Sequence, residues 1–157
     1  ELPYKKHPWS ISVILSPHIR QFDHVSIING VVTASGAHIT HLKGLFKEAT
    51  IAKLAKVVKE EVKVSVKDVC QHMLLVVVGA LPGADWDGQR KDNLSVSKEA
   101  LAHYKFPVTW LKQVADICSG MILEAMGRKK KGKKKTKPEK YTPAKSAGIR
   151  GPHGRRG

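Results

Sequence analysis

Two short segments near the start of the chain alternate apolar with small polar residues, which predicts two β-strands. The first runs from Trp9 to Leu15 (W-S-I-S-V-I-L), and the second runs from Val25 to Asn29-Gly30, the dipeptide that most favours a tight turn. Because the two strands are close in sequence, we expect them to pair antiparallel. A third strand is predicted from His72 to Leu81, since its almost continuous apolar run is typical of a central strand buried on both faces.

Apolar residues at helical spacing predict the helices that cover these strands. The first helix, of about 20 residues from near His38 to Lys59, has an apolar stripe formed by Leu42, Leu45, Phe46, Ala49, Ala52 and Val57. We expect residues 60–67 to form a polar connection. Residues 94–103 are predicted to form a short helix that is capped near Ser95 or Ser97.

The last predicted helix marks the end of the folded domain. It runs from Val108 to about Met126, and Gly127 follows at the position where a helix terminator belongs. Beyond this glycine the composition shifts to Lys, Gly and Pro. We therefore predict a domain of residues 1–127, followed by a basic, disordered linker of residues 128–157. The order of the elements indicates an α+β fold, a sandwich of two layers.

The charge of the chain is concentrated in the predicted linker. Residues 128–157 hold 13 of the 28 Lys and Arg residues and one of the 13 acidic residues, which gives them a net charge of +12. Residues 1–127 carry a net charge of only +3. Runs of like charge repel themselves and resist packing. Three interpretations stay open, namely binding to polyanions through counterion release, a nuclear-import signal, and a solvated linker.

The polar loop of residues 85–93 (D-W-D-G-Q-R-K-D-N) follows the most apolar run of the chain. A rigid buried strand that leads into a charged loop can present the side chains of that loop to a partner. Gln89 offers an amide and Lys91 offers a compact cation, and both suit contact with a transferring phosphoryl group. The alternative is an ordinary solvated surface loop.

Several classes of protein are disfavoured by what the sequence lacks. Cys70 and Cys118 have neither a C-x-x-C nor a zinc-ligand spacing, and His38 and His41 lack a third ligand, so we expect neither a disulfide framework nor a metal site. No apolar run reaches the roughly 18 residues of a membrane span. The phosphate-binding and nucleophile motifs of self-contained enzymes are also missing. The chain starts at Glu1 without an initiator Met or a signal-peptide pattern, and we expect it to be an intracellular piece of a longer protein.

Three groups of residues, taken in order, resemble the type IIA DNA topoisomerases. Residues 25–30 (V-S-I-I-N-G) with 35–39 (S-G-A-H-I) are similar to the family signature "S-x-x-N…G-G-T-H". His72-Met73 at the start of the long strand, followed by Gln89-Arg90-Lys91, is similar to the strand and "Q-T-K" loop of the same proteins. Residues 141–148 (Y-T-P-A-K-S-A-G) resemble the "K-L-x-x-A-x-x-A-G" connector that precedes the cleavage domain. The resemblance extends from about residue 8 to residue 148 and is closest to the branch of eukaryotes and large DNA viruses.

The resemblance implies that the chain is the transducer domain, which lies between the ATPase domain and the DNA-cleavage core. The implied fold is a ribosomal-protein-like α+β sandwich, a mixed sheet with helices on one face. Lys91 matches the lysine that contacts the γ-phosphate of ATP in the neighbouring ATPase domain, and Gln89 matches a glutamine that contacts the same group. Arg90 stands where relatives often have Thr, and a third contact is expected there. The implied cofactors are ATP and Mg²⁺, bound mainly by domains outside this chain, so the segment is part of an ATP-hydrolysing isomerase but not catalytic by itself.

The implied partners are double-stranded DNA, the ATPase and cleavage domains of the same enzyme, and a second copy in a homodimer, with no membrane. Relatives carry a lysine-rich turn after the first long helix that approaches DNA. Here that turn is interrupted by Glu60-Glu61, which weakens the expected contact. The residues expected to contact DNA are Lys59, Lys63, Lys67, Lys129, Lys130, Lys131, Lys133, Lys134 and Lys135. The expected location is the nucleus or, for a viral protein, the cytoplasm or nucleus of the host.

A second hypothesis is a free-standing nucleic-acid-binding protein of the same ribosomal-protein-like fold. In that case the basic linker would supply the affinity, without any role for ATP. The chain has no aromatic-rich strand that resembles an RNA-binding face, which counts against this hypothesis.

Overall fold

The computed structural model describes residues 1–6, 8–59, 61–87 and 92–133. These residues form a five-stranded mixed sheet, a small three-stranded sheet and four helices. In chain order the elements are β1 (Leu2–Lys6), β2 (Trp9–Leu15), β3 (Asp23–Ile28), β4 (Val31–Val32), β5 (Ser35–Gly36), α1 (Ala37–Val57), α2 (Val66–Cys70), β6 (Met73–Gly79), β7 (Asp85–Asp87), β8 (Asn93–Ser95), α3 (Lys98–Ala102) and α4 (Val108–Lys133). The predicted α+β class with a mixed sheet is confirmed.

The main sheet has the strand order β1-β2-β6-β3-β4. The predicted antiparallel pairing of β2 with β3 is wrong, because β6 lies between them. β2 pairs antiparallel with β6 from Trp9 opposite Gly79 to Leu15 opposite Met73, whereas β3 pairs parallel with β6 on its other edge. A parallel pair needs a long crossover connection, and α1 with α2 provides it between β3 and β6. Strand β6 is the most apolar of the sheet and therefore takes the central position.

The core lies between one face of the sheet and the helices. In β6 the side chains of Met73, Leu75 and Val77 are fully buried, and they pack with Phe46 of α1 and Val114 of α4 among others. The prediction that β6 is buried on both faces is wrong, since the alternate residues are only partly buried and Val78 is 43% exposed. The helices that the structure describes cover one face, and the apolar run of β6 reflects its central position in the sheet rather than two covering layers.

Helix α1 begins and ends within two residues of the predicted bounds. The predictions for two shorter segments, residues 60–67 and 94–103, need correction. The segment expected to be a polar connection contains α2, which is started by a capping box in which Ser65 Oγ accepts the Asp68 N–H and Asp68 binds the Ser65 N–H. The short helix predicted from residue 94 begins only at Lys98, with Ser97 as its N-cap. Residues Asn93–Ser95 before it form β8, in which the side chain of Leu94 is buried in the core.

Helix α4 does not end at Gly127 but continues to Lys133, so the predicted terminator is wrong. A glycine ends a helix when it adopts a positive φ, and Gly127 is not among the residues that do. Its 26 residues give α4 a length of roughly 39 Å. The first part of the basic run is therefore helical. Residues 134–157 lie outside the described residues, and the domain boundary at 127/128 stays a prediction.

Strand β1 is an element that the hydrophobic pattern did not predict. It pairs antiparallel with β2 at the edge of the sheet, from Leu2 opposite Val13 to Lys6 opposite Trp9. A proline and two lysines in five residues are typical of an edge strand, where they discourage further pairing. None of the helices in the described part of the chain is long and apolar enough to cross a membrane.

Candidate functional site

The predicted phosphate-contacting residues belong to the connection between the two strands of a β-hairpin. Strands β7 and β8 pair antiparallel, with Asp85 opposite Ser95 and Asp87 opposite Asn93. Gln89, Arg90 and Lys91 fall in the connection between these strands and lie outside the described residues, so their contacts stay a prediction. What the structure describes is the base that holds this connection at both of its ends.

Three side chains form a hydrogen-bonded row across the base of the hairpin. The Ser35 hydroxyl donates to Asn93 Oδ1 at 3.0 Å, and the Asn93 amide donates to Asp87 Oδ2 at 2.7 Å. The backbone continues the same connection, because the Ser35 N–H donates to the Asp92 carbonyl at 2.9 Å. The row therefore links β5, β8 and β7 at the residues that flank the loop.

The second layer of contacts below this row is apolar and tightly packed. Leu94 of β8 is 1% exposed and lies directly against Gly36 of β5. A Cβ atom on Gly36 would come within 2.7 Å of Leu94 Cβ and 2.9 Å of His38 Nδ1. Trp86 of β7 packs on the core and donates from Nε1 to Thr33 Oγ1 at 3.4 Å. Only glycine at position 36 allows β5 and β8 to approach so closely.

The asparagine of the S-x-x-N segment fixes the strand that leads to the hairpin. Asn29 Nδ2 donates to the Leu81 carbonyl at 2.9 Å, and the Leu81 N–H donates to Asn29 Oδ1 at 2.8 Å. Asn29 adopts a left-handed φ of 51°, a conformation that asparagine tolerates better than most residues. The turn after β3 is thus tied to the chain just beyond β6.

The serine and histidine of the same signature form a buried pair. The Ser26 hydroxyl lies 2.6 Å from His38 Nε2, and both residues are 1% exposed. Burial, with a smaller contribution from the charge of nearby His24, lowers the pKa of His38 to about 4, so the ring is neutral near pH 7. Because the pair is enclosed in the core, it cannot reach a substrate. It connects β3 to the first turn of α1.

The signature residues therefore have a common structural role. Ser26 and His38 join β3 to α1, Asn29 joins the turn after β3 to the segment that leads to the hairpin, and Gly36 packs against β8 of the hairpin. These four residues are spread over 13 positions of the chain. Sequence reasoning missed Asn93, Asp87 and the Thr33–Trp86 contact. No local pattern indicates them, since Ser35 and Asn93 are 58 positions apart and meet only because β5 pairs with β8.

The lysines predicted to contact DNA fall into two sets, one around the α1–α2 connection and one at and beyond the end of α4. Lys59, Lys63 and Lys67 are exposed in the connection between α1 and α2 and on α2 itself. Lys63 lines a cavity of about 380 Å³ together with Ala125 and Met126 of α4. This places it beside the part of α4 that leads into the basic run. Lys129, Lys130, Lys131 and Lys133 belong to the last two turns of α4, and Lys134 and Lys135 lie outside the described residues.

Helices α1 and α4 connect the hairpin to this basic end. They pack along one another, and Lys53 of α1 forms an ion pair with Asp116 of α4 at 2.8 Å. Both cysteines are buried between the helices, and burial raises the pKa of Cys70 to about 11 and that of Cys118 to about 12. Such thiols are poor nucleophiles at neutral pH. The described residues contain no group of three or more His, Cys, Asp or Glu side chains that could hold a metal ion.

Comparison with curated proteins finds relatives along almost the whole chain. The chain is 36% identical over 148 residues to DNA topoisomerase 2 of a warthog isolate of African swine fever virus, and 35% identical over 148 residues to that of a tick isolate. The match covers 93% of this chain and 12% of each relative, so the chain spans about an eighth of their length. No protein-family model matches the chain.

Solved structures with the same fold come from type II topoisomerases. The ATPase and transducer domains of DNA topoisomerase II from Balamuthia mandrillaris align with a TM-score of 0.71 at 20% identity, over 82% of this chain and 34% of theirs. The ATPase region of Saccharomyces cerevisiae topoisomerase II aligns with a TM-score of 0.62 at 15% identity, over 80% of this chain and 32% of that one. At these identities the likeness concerns the fold, while the viral relatives carry the similarity in sequence.

Proposed function

We propose that this chain, which belongs to the type II DNA topoisomerase family and corresponds to its transducer domain, couples the nucleotide state of an ATPase domain to DNA strand passage. The observation that carries the proposal is the connection of the hairpin to the long helices. Strand β8 pairs with β5, and β5 leads without a break into α1, which packs along α4. A movement of the hairpin is thereby passed to a helix that reaches beyond the core. The family match favours this function over that of a free-standing nucleic-acid-binding protein.

In this proposal the loop between β7 and β8 contacts ATP that is held by another domain. Lys91 would place a cation, and Gln89 an amide donor, at the γ-phosphate, with Arg90 as a third donor. When bound, ATP with Mg²⁺ supplies the terminal phosphate that this loop would recognise. Following the resemblance to the type IIA topoisomerases, we propose that ATP and Mg²⁺ are bound mainly by domains outside this chain.

A cation aimed at the terminal phosphate can distinguish ATP from ADP, because hydrolysis removes the negative charge with which it pairs. A ligand shifts a conformational equilibrium only by as much as it binds the two states differently. Contact with the γ-phosphate meets this condition, since it exists before hydrolysis and is lost afterwards. The hairpin would then adopt different positions relative to the ATPase domain in the two states.

The basic end of α4 and the α1–α2 connection are the surfaces that we propose for DNA. Arg128 to Lys133 continue α4 past the core, and Lys63 lies beside the turn that precedes them. Lys59, Lys67 and the basic residues after Lys133 would extend the same positive surface along a duplex. In the whole protein we propose a homodimer, with a boundary at 127/128 between the transducer domain and a linker to the cleavage domain. The proposed location is the nucleus or, for a viral protein, the cytoplasm or nucleus of the host.

The experiment that tests the function is Lys91→Ala in the full-length protein. Loss of the γ-phosphate contact should lower the kcat/KM for ATP by more than about tenfold, which corresponds to about 1.4 kcal/mol. Lys98→Ala is the matched control, because Lys98 is an exposed lysine at the start of α3 and not one of the residues proposed to contact the phosphate. A kcat/KM for ATP within about twofold of that of the unsubstituted protein for Lys91→Ala would contradict the proposal.

A further inference from the structure

Ser35, Asn93 and Asp87 form a chain of side-chain hydrogen bonds at the base of the hairpin, which we call the lock. The family signature does not require this chain of bonds. Ser35 stands at the position of the first glycine in G-G-T-H, which has no side chain. In this chain its hydroxyl donates to Asn93 at 3.0 Å, and Asn93 in turn donates to Asp87 at 2.7 Å. Asp87 and Asn93 are the last paired residues on the two sides of the loop.

We propose that Ser35 and Asn93 are positioning residues for the phosphate-contacting loop, an inference that rests on the proposed function of Gln89 and Lys91. A five-residue connection, 88–92, joins Asp87 to Asn93. Fixing both ends of a short loop removes conformations that it would otherwise lose on binding, and so favours binding of the ligand. The same lock ties the loop to β5, which leads directly into α1.

The side-chain amide of Asn93 is the central group of the lock because both its oxygen and its nitrogen form hydrogen bonds. Its oxygen accepts from Ser35 and its nitrogen donates to Asp87, so the side chain has one orientation that satisfies both partners. An aspartate at position 93 could not donate to Asp87 and would add a second carboxylate beside it. No alanine or aspartate at this position can replace both bonds.

The lock also has an electrostatic consequence. Asp87 flanks the loop, and a carboxylate near a phosphate site repels the phosphate and competes for the loop's cations. The hydrogen bond from Asn93 holds Asp87 Oδ2 at the base of the hairpin. Without this hydrogen bond the Asp87 carboxylate is free to move, and the preference of the loop for a more negative nucleotide should fall.

The test uses the full-length protein with Asn93→Ala, Ser35→Ala and the double variant. The measurements are the affinities for adenylyl imidodiphosphate and for ADP, the KM and kcat for ATP, and the melting temperature. For Asn93→Ala we expect the preference for the ATP analogue over ADP to fall by about threefold to tenfold, the effect of one or two hydrogen bonds. Ser35→Ala should give a smaller loss, and the double variant should match Asn93→Ala, because the two bonds form one chain.

Two controls separate positioning from a general loss of structure. Ser35→Thr keeps the hydroxyl and should restore the preference for the ATP analogue. Ser95→Ala removes an exposed hydroxyl from the same strand and should leave that preference unchanged. A lower melting temperature with an unchanged preference in Asn93→Ala and Ser35→Ala would assign the lock a purely structural role and overturn the inference.

Lys91→Ala is included so that the two proposals can fail separately. If Lys91→Ala abolishes the preference and Asn93→Ala behaves like Ser95→Ala, the positioning role is wrong and the proposed function stands. If Lys91→Ala leaves the preference unchanged, the proposed function fails and the positioning role fails with it.

Discussion

Asn29 and Leu81, which are 52 positions apart, are joined by two hydrogen bonds in opposite directions between the Asn29 side chain and the Leu81 backbone. The pair connects the turn after β3 with the segment that leaves β6 for the hairpin. Leu81 is 2% exposed, so its backbone groups have little access to water if Asn29 is removed. One side chain therefore satisfies a backbone donor and acceptor at the point where the sheet ends and the hairpin begins.

Asn29→Ala should lower the free energy of unfolding by about 2–3 kcal/mol, since it removes two hydrogen bonds and places alanine at a left-handed φ. Asn29→Gly is the informative comparison, because glycine accepts the same φ and loses only the hydrogen bonds. Urea unfolding of the 157-residue chain should place Asn29→Gly between Asn29→Ala and the unsubstituted chain. Equal stabilities of Asn29→Ala and the unsubstituted chain would show that the pair contributes nothing.

Gly36→Ala should lower the free energy of unfolding by about 1–3 kcal/mol, because the added Cβ would lie 2.7 Å from Leu94 Cβ and 2.8 Å from the Leu94 carbonyl oxygen. Gly44→Ala provides the matched control. Gly44 lies inside α1 with no atom within 4 Å of an added Cβ, and alanine there should raise stability by about 0.5–1 kcal/mol. Thermal or urea unfolding of both variants should give changes of opposite sign. Changes of the same sign would contradict the close packing of β5 on β8.

The buried His38 should make the chain less stable in acid. Its pKa is lowered from 6.5 to about 4 in the folded state, so between these values the unfolded chain binds more protons than the folded chain. Stability from this group is complete above pH 6.5 and decreases as the pH falls toward 4, by up to about 3 kcal/mol. His41, whose pKa is lowered mainly by burial and raised in part by Glu48, changes stability in the same direction.

The measurement is urea unfolding at several pH values between 7.5 and 4.5. His38→Gln should flatten the decrease in the free energy of unfolding, because glutamine does not titrate. His18→Gln, at an exposed position, removes one imidazole outside the core and is measured alongside as the matched control. An unchanged profile in His38→Gln would mean that this histidine does not control the acid sensitivity.

Charge reversal on the α1–α2 connection tests the proposed DNA surface. If Lys63 and Lys67 each contact a phosphate, Lys63→Glu with Lys67→Glu should weaken binding to duplex DNA and reduce the slope of log affinity against log salt by about 1 for each lysine. Lys98→Glu, on α3, changes the net charge by the same amount per residue and serves as the control. The slopes can be measured by fluorescence anisotropy. Equal slopes for the double variant and the unsubstituted chain would exclude these lysines from the interface.

Several elements of the fold were predictable from the sequence because their signals are local. The alternation at Trp9–Leu15, the helical stripe that contains Leu42 and Phe46, and the Asn29-Gly30 turn each predict an element that the structure contains. The resemblance to a topoisomerase segment also rests on short motifs and is supported by the viral relatives. The roles of Gln89, Arg90 and Lys91 come from the same motifs and remain predictions.

The pairings were not predictable, because hydrophobic periodicity reports that a residue is buried and not which residue covers it. The sequence alone determined the types of the main elements, the α+β class and the family. Only the tertiary structure decided that β6 lies between β2 and β3, that α4 continues through Gly127 into the basic run, and that Ser35 meets Asn93. The strand order and the meeting of Ser35 with Asn93 depend on contacts between distant segments, whose free energy is gained only when the whole chain packs. The continuation of α4 depends on the backbone at Gly127, which does not adopt the positive φ that would end the helix.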